Sequence, residues 1–421
     1  MKEQQSLIGR TIYLPQMSYG ATRCVAAAFR SVGLDAEPTP DSDPTTLELG
    51  SRFTSGDECL PERITLGDFL KIVNSPGFDP KKTAFFMPTS GGPCRFGQYE
   101  NYIQKVMQQL GYADIMIFSP SSKNAYKGIG DHSFIRTAWR AFVVADLLQK
   151  LLLRTRPYEI QKGDTRQVYE ECLAEACQAL SARCDHRERM RRLVDVMTAS
   201  RDRFRSVPAN RNEKRPLIGI VGEIFCRHHS FSNENLIERL EEHGGEAWIS
   251  DICEWILYTS HQERYNLART GKRFTKAMLK NRITAWIQHR DEHHLKKPLL
   301  DDFKGYEEPS SIDELLRYSE PYLPPAGALG EMVLNVGKTV YLHKKGAHGV
   351  IDISPFTCMN GIICEAIYPR LSRDLDGLPI RTFYFDGVAG DLDRDLGIFV
   401  ELARNYQRKR LRDARKVTIR S

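Results

Sequence analysis

The feature that most constrains this chain is an alternation of short apolar, β-rich runs with longer stretches whose apolar residues recur at helical spacing. In the first third the strand-like runs are residues 11–14, 84–87 and 114–118, and between them lie helix-like runs at 21–30, 66–73 and 96–110. After residue 215 the alternation resumes with strands at 217–221, 246–249, 349–353 and 382–385, and helices at 235–242, 254–267, 276–289 and 361–371. Strands separated by helical crossovers pair in parallel, so each block predicts its own parallel sheet.

Between the blocks the strand signal disappears. Ile135, Ala138, Trp139, Phe142, Ala145 and Leu148 follow a helical period, and residues 168–180 and 190–198 continue as charged amphipathic helices. The expected fold is therefore α/β, with two doubly wound Rossmann-like domains and a helical insertion domain. The expected boundaries are 1–130 for the first α/β domain, 131–215 for the insertion, 216–403 for the second α/β domain and 404–421 for a basic C-terminal tail. Residues 295–329, rich in Pro and acidic side chains, read as a loop with short helices, and no internal repeat stands out.

No apolar stretch approaches the roughly 20 residues of a membrane helix. The best, 142–153, is broken by Asp146, Gln149 and Lys150. Residues 1–6 lack the apolar run of a signal peptide, so the cytoplasm is the expected compartment and no membrane partner is expected. The net charge of +6 localises to residues 404–420, where eight Lys/Arg face only Asp413 and the rest of the chain is left near −1. This reads as a solvated tail, and nucleic acid is not an expected partner.

Ten cysteines without a CxxC pair, in a chain expected in the cytoplasm, point to metal, redox or core roles before disulfides. Three share a context. Cys59 precedes the helix at 64–73, Cys94 lies between the strand at 84–87 and a helix, and Cys358 lies between the strand at 349–353 and a helix. Cys94 and Cys358 would thus occupy the C-terminal edge of a parallel sheet, where open α/β folds place ligands. Free N–H groups at a helix start lower a thiol's pKa and stabilise thiolates. Gly91, Gly92, Gly97 and Gly361 permit close backbone approach, and Pro93 and Pro355 stiffen the loops. Three thiolates suit a catalytic zinc, or a cubane iron–sulfur cluster with its fourth iron open; the alternative is three unrelated buried thiols.

The segments TSGDECLPERITLGD (54–68), GGPCRFGQY (91–99), VGEIFCR (221–227), SPFTCMNGIICE (354–365) and FYFDG (383–387) resemble the 2-hydroxyacyl-CoA dehydratase family. The likeness is to its D-component chains, to double-cubane cluster proteins and to the dehydratase-like half of large CoA-substrate activase proteins. It spans roughly residues 9–405 in consistent order. The resemblance implies a [4Fe–4S] cluster held by Cys59, Cys94 and Cys358 between two α/β domains. It also implies a separate ATP-hydrolysing iron–sulfur activator that supplies a low-potential electron. In true dehydratases that electron passes to a 2-hydroxyacyl-CoA thioester, whose ketyl radical anion expels the hydroxyl group. The chain shows no Gly-Lys-Ser/Thr phosphate loop, so ATP hydrolysis would belong to the partner. A double-cubane cluster, the alternative cofactor, would draw on further thiolates.

Several other residues carry two readings. Cys24, Cys226 and Cys253 each follow a strand; Cys226 is the best placed as a further ligand, against a packed thiol. Cys364 reads as core, and Cys172, Cys177 and Cys184 as helix-face residues. Glu223 is a candidate acid or base, or a helix cap. Arg95 and Arg227 could neutralise cluster sulfides or a CoA phosphate, or form surface salt bridges. The pairs His228-His229 and His293-His294 read as surface histidines, and Asp386-Gly387 as a turn. The expected function is an iron–sulfur component, a lyase or reductase, that uses the electron in radical dehydration or a related reduction of an acyl-CoA, as a homodimer or heterodimer. The rival is a non-catalytic electron-transfer or scaffold partner.

Overall fold

Short, β-favouring runs at the predicted positions pair as two separate four-stranded sheets, all parallel, in a computed structural model that describes residues 7–120, 132–328 and 330–420. The leader reading of residues 1–6 and the domain boundary at 130/131 lie outside the described residues, as do the side chains of Arg415, Lys416 and Arg420. The chain divides into two compact units, one of residues 1–148, 170–199 and 291–296, the other of 149–169, 200–290 and 297–421.

The first unit carries β1 (Thr11–Leu14), α1 (Tyr19–Arg30), β2 (Asp35–Pro38), α2 (Pro44–Ser51), α3 (Leu60–Val73), β3 (Thr83–Phe86), α4 (Tyr99–Gln109) and β4 (Met116–Phe118). Its strand order is β2-β1-β3-β4, with Thr11 opposite both Asp35 and Thr83. The sequence reading misses β2, because DAEP has one apolar residue and a proline; only its position at the sheet edge makes it a strand. Phe69 of α3 stacks on Phe85 of β3 at 4.1 Å between ring centroids, at the centre of this unit's core.

Three long helices follow: α5 (His132–Thr155), α6 (Asp164–Ser181) and α7 (His186–Ser206). Among the described residues no strand lies between β4 and the next sheet. Both compact units take up parts of this helical stretch, as the division at residues 148/149, 169/170 and 199/200 shows. In the first unit, Arg136 and Arg140 clamp the buried Asp291 at 2.6 and 2.7 Å.

The second unit carries β5 (Leu217–Gly222), α8 (Ile224–His228), α9 (Leu236–Glu242), β6 (Glu246–Ile249), α10 (Ile252–Arg269), α11 (Lys276–Lys296, whose last turn belongs to the first unit), α12 (Ile312–Ser319), α13 (Glu331–Lys344), β7 (Gly349–Pro355), α14 (Met359–Asp374), β8 (Ile380–Phe385) and α15 (Leu392–Arg420). Its order, β6-β5-β7-β8, repeats that of the first sheet. All six residues of β5 and all seven of β7 are buried, which explains the apolar wording of β5 and requires partners for the Asp352 and Ser354 that interrupt β7.

The sequence reading also passes over α13. Its residues 331–342 are buried on every side, so no polar face gives it a helical period. Gly337 is what admits it, since a Cβ there would stand 2.2 Å from the Leu315 carbonyl oxygen of α12. Lys338, wholly buried, donates to Glu254 at 2.9 Å and to Glu308, which also pairs with Lys150 and accepts from Trp248 Nε1 at 2.9 Å. The two lysines hold the Glu308 carboxyl well below its ordinary range against the desolvation that pushes it up.

The solvated tail is corrected over residues 404–410. They continue α15, with Ala403 and Tyr406 buried; Tyr406 donates to the Leu375 carbonyl at 3.0 Å, Gln407 to Arg215 O at 3.2 Å and Lys409 to Asp376 O at 2.9 Å. No helix among the described residues is long and apolar enough to cross a membrane.

Tyr406→Ala should therefore cost about 3 kcal/mol in urea denaturation, as a buried aromatic does. Arg412→Ala, on an exposed position of the same helix, should stay within about 0.5 kcal/mol of the parent.

Candidate functional site

In the second sheet the chain turns one way from β5 to β6 and the other way to β7, so the loops leaving β5 and β7 flank the position where open α/β sheets bind ligands. β5 ends on Gly222 at φ 121°, where a Cβ would lie 2.1 Å from Ile353 O; only glycine fits. Its N–H donates to Asn335 Oδ1 at 3.2 Å, and the next N–H, of Glu223, donates to Ile353 O at 2.8 Å.

Glu223 caps α8, accepting from the N–H groups of Phe225 at 3.1 Å and Cys226 at 2.8 Å. Beside it Glu331, the first residue of α13, accepts from Ile224 N–H at 2.7 Å. Burial, then the charge of Glu223, raises the Glu331 carboxyl to about 8; Arg227 opposes both. Burial raises Glu223 too, against its two N–H donors. Arg227 is buried, not a surface residue: its Nη1 donates to Gly222 O at 2.8 Å, while its Nε has no hydrogen-bond partner among the described residues.

β7 leaves through Thr357, a β-branched residue at φ 66°, directly before Cys358. That conformation is strained for such a side chain. Cys358 is the N-cap of α14, and the helix can start so close to the strand because Gly361 sits where a Cβ would meet Ser354 Oγ at 2.6 Å. The N–H groups of Gly361 and Asn360 favour its thiolate, as the sequence reading expects. They lose: burial first, then the charges of Glu223 and Glu331, pushes the thiol well up. Below lies Asp352, bonded by Ser354 Oγ at 2.8 Å and by Tyr368, its carboxyl raised by burial to about 6.

In the first unit Cys59 is the N-cap of α3, half-buried, with Sγ 2.6 Å from the Tyr99 hydroxyl at the start of α4. Cys94, exposed, is the N-cap of the short helical turn Arg95–Gln98 that runs into α4. Arg95, exposed, donates to the carbonyl of Asp57, so it ties the Cys94 loop to the Cys59 loop. Gly91 and Gly92 are exposed in the same loop, Gly92 at φ 120°. The structure thus joins the Cys59 and Cys94 segments in one unit, and gathers Cys358, Glu223, Glu331 and Arg227 in the other. Among the described residues no group of three or more His, Cys, Asp or Glu side chains converges to hold a metal ion.

The remaining cysteines are arranged differently. Cys226 is buried within α8 and its thiol bonds the Glu223 carboxyl; Cys253 is buried in α10, and Cys364 in α14, where its thiol donates to Met332 O at 3.6 Å. Cys24 is buried in α1 with its thiol bonded to that of Cys177 in α6. His228 and His229 are buried, against expectation, whereas His293 and His294 are exposed. Asp386 Oδ1 accepts from Val388 N–H at 2.8 Å across Gly387 at φ 88°, a turn. Sequence reasoning missed Glu331, Asn335 and Tyr99, because nothing local distinguishes a buried polar residue that serves a distant loop.

The Glu331 carboxyl sits at about 8 against an ordinary 4.5, so the folded chain keeps a proton that the unfolded chain releases between those values. Stability should fall as pH rises from about 4.5 to about 8. Glu331→Gln, which keeps the acceptor for Ile224, should flatten that fall by more than about 1 kcal/mol in denaturant titrations across the window. Thr357→Asn, relieving the left-handed strain, should stabilise by about 1 kcal/mol.

Compared with known proteins, the chain matches no family model and no curated protein, so a functional reading has to rest on this geometry.

Proposed function

We propose that the chain is an iron–sulfur component of the 2-hydroxyacyl-CoA dehydratase type, with Cys59, Cys94 and Cys358 holding a [4Fe–4S] cluster. The observation that carries the reading is positional. Of the ten cysteines, these three are the N-caps of helical segments, with Cys94 exposed and Cys59 and Cys358 partly buried. The donor set fits such a group: soft sulfurs at helix starts, with the N–H groups of Asn360 and Gly361 directed to one of them. Arg227 Nε is a buried donor without a partner among the described residues, which an acceptor such as a cluster sulfide would satisfy.

When bound, the cluster supplies a low-potential electron and an iron with an open position. The chain's own residues supply the rest. Glu331 accepts from Ile224 N–H at 2.7 Å, and burial beside Glu223 raises its carboxyl to about 8, the range of a general acid. Arg227, a buried cation facing Glu223, Glu331 and Asp352, sets how many of the three carboxyls stay ionised. Gly222 lets its loop lie against the Ile353 backbone of β7, and Gly361 lets α14 start against the Ser354 side chain. The electron would come from a separate ATP-hydrolysing activator, and the substrate class is an acyl-CoA.

Chain purified without oxygen should be brown and carry about four irons. Cys59→Ala, Cys94→Ala and Cys358→Ala should each lose most of the iron by colorimetric assay, while Cys172→Ala, at a buried position on α6, should keep it. Equal iron in all four variants would refute the ligand set. ATP hydrolysis by the isolated chain would contradict the separate activator.

A further inference from the structure

The sum of charges conceals a second basic region. From Arg264 to Arg290 the chain has eight Lys/Arg and no Asp or Glu, all of it in the α10–α11 hairpin of the second unit. Among the described residues Lys272, Arg273, Lys276, Lys280 and Arg282 form no ion pair, while Arg264 donates to Asn281 Oδ1 at 3.0 Å and is attracted by Asp313 and Glu263 and repelled by Arg282. The hairpin encloses a groove of about 620 Å³, lined by Arg264, Tyr265, Arg273, Phe274, Met278 and Arg282. Its single carboxylate, Asp313, faces His261 at 3.4 Å and attracts Arg264, which leaves the other lining cations, Arg273 and Arg282, without an ion pair among the described residues.

Along the groove runs an apolar ridge. Leu279, Ile283 and Trp286 fall at helical spacing on α11 and are 60%, 49% and 60% exposed; Phe274, at the tip, is fully exposed. Isolated exposed apolar residues need no explanation, but a ridge of this kind beside a cationic groove does.

We propose that this hairpin is a docking surface for an acidic segment of another protein, helical and apolar on one face. The unneutralised cations select an acidic occupant, and the ridge and groove together are wider than a small anion would cover. A second copy of the chain would set the same eight cations against each other across a two-fold contact. A bilayer surface would leave the concave groove unfilled, and a nucleic acid would set phosphates against leucine and isoleucine. The proposal is independent of any bound cluster.

The test uses the full chain and a fluorescein-labelled Leu/Glu amphipathic peptide of about 20 residues, the probe, read by anisotropy. The expected result is saturable binding that a matched Leu/Lys peptide does not show. Combining Arg273→Glu, Lys276→Glu and Lys280→Glu should weaken binding at least about tenfold at low salt, chiefly by slower association, and the difference should shrink as salt rises. Combining Leu279→Ser, Ile283→Ser and Trp286→Ser should weaken it at least about tenfold by faster dissociation. These positions are exposed, and unchanged far-ultraviolet dichroism and melting confirm that the variants fold. Four outcomes overturn the proposal: no binding of the Leu/Glu peptide; equal binding by both variants; tighter Trp286-dependent binding to phosphatidylserine vesicles or to duplex DNA; or a dimer in sedimentation velocity that the ridge variant dissociates.

Discussion

One helix holds the second unit together, and it does so through polar groups that never meet water. Glu331, Asn335 and Lys338 fall on one face of α13, three to four residues apart, and each reaches a different element. Glu331 takes the N–H of Ile224, Asn335 the N–H of Gly222, and Lys338 the carboxylates of Glu254 and Glu308. A buried polar group costs stability unless it is paired, so each of these contacts fixes geometry more than it adds energy. The loop leaving β5 can hold its position because α13 satisfies two of its N–H groups. Were Lys338 removed alone, buried Glu254 would lose the cation it pairs with while Glu308 kept only Lys150, and breaking a buried pair in this way costs about 3–5 kcal/mol.

The same stripe decides the electrostatics near Cys358. A thiol at a helix start, with two N–H groups directed to it, would ordinarily be acidified. Here burial and two neighbouring carboxyls outweigh those donors, and the thiol keeps its proton. Arg227 lowers Glu223, Glu331 and Asp352, but burial outweighs it and all three carboxyls stay raised.

How much of this was legible in the sequence follows from what each residue contacts. β1, β3 and β5–β8 were readable because their side chains are apolar and β-favouring; β6 was placed to the residue. β2 and α13 were not, since DAEP owes its strand pairing to β1, and a helix buried all round has no periodic face. The three cysteine N-caps were legible from their position before helix-like runs, whereas Glu331 and Tyr99 act on groups forty or more residues away in the sequence. Arg227, Arg95 and the histidine pair at 228–229 have the same composition signal on a surface or in a core. Only packing tells them apart, and it buries Arg227, His228 and His229 while leaving Arg95 exposed.

The two sheets share one strand order with no matching sequence repeat, so topology alone cannot explain why their edges differ chemically. In the first unit the polar residue leaving β1, Gln16, is satisfied close by: it donates to Thr39 O and Asp41 Oδ1, both at 2.8 Å, and accepts from Arg23 at 2.9 Å. In the second unit the corresponding exit, after β5, holds carboxyls that share too few donors and an arginine with an orphaned Nε. A closed hydrogen-bond ledger rigidifies a loop, while an open one leaves groups that a ligand can satisfy at no further desolvation cost. The second edge therefore keeps a buried donor unsatisfied, while in the first unit Arg95 on Asp57 and Tyr99 on Cys59 tie down the Cys59 and Cys94 loops.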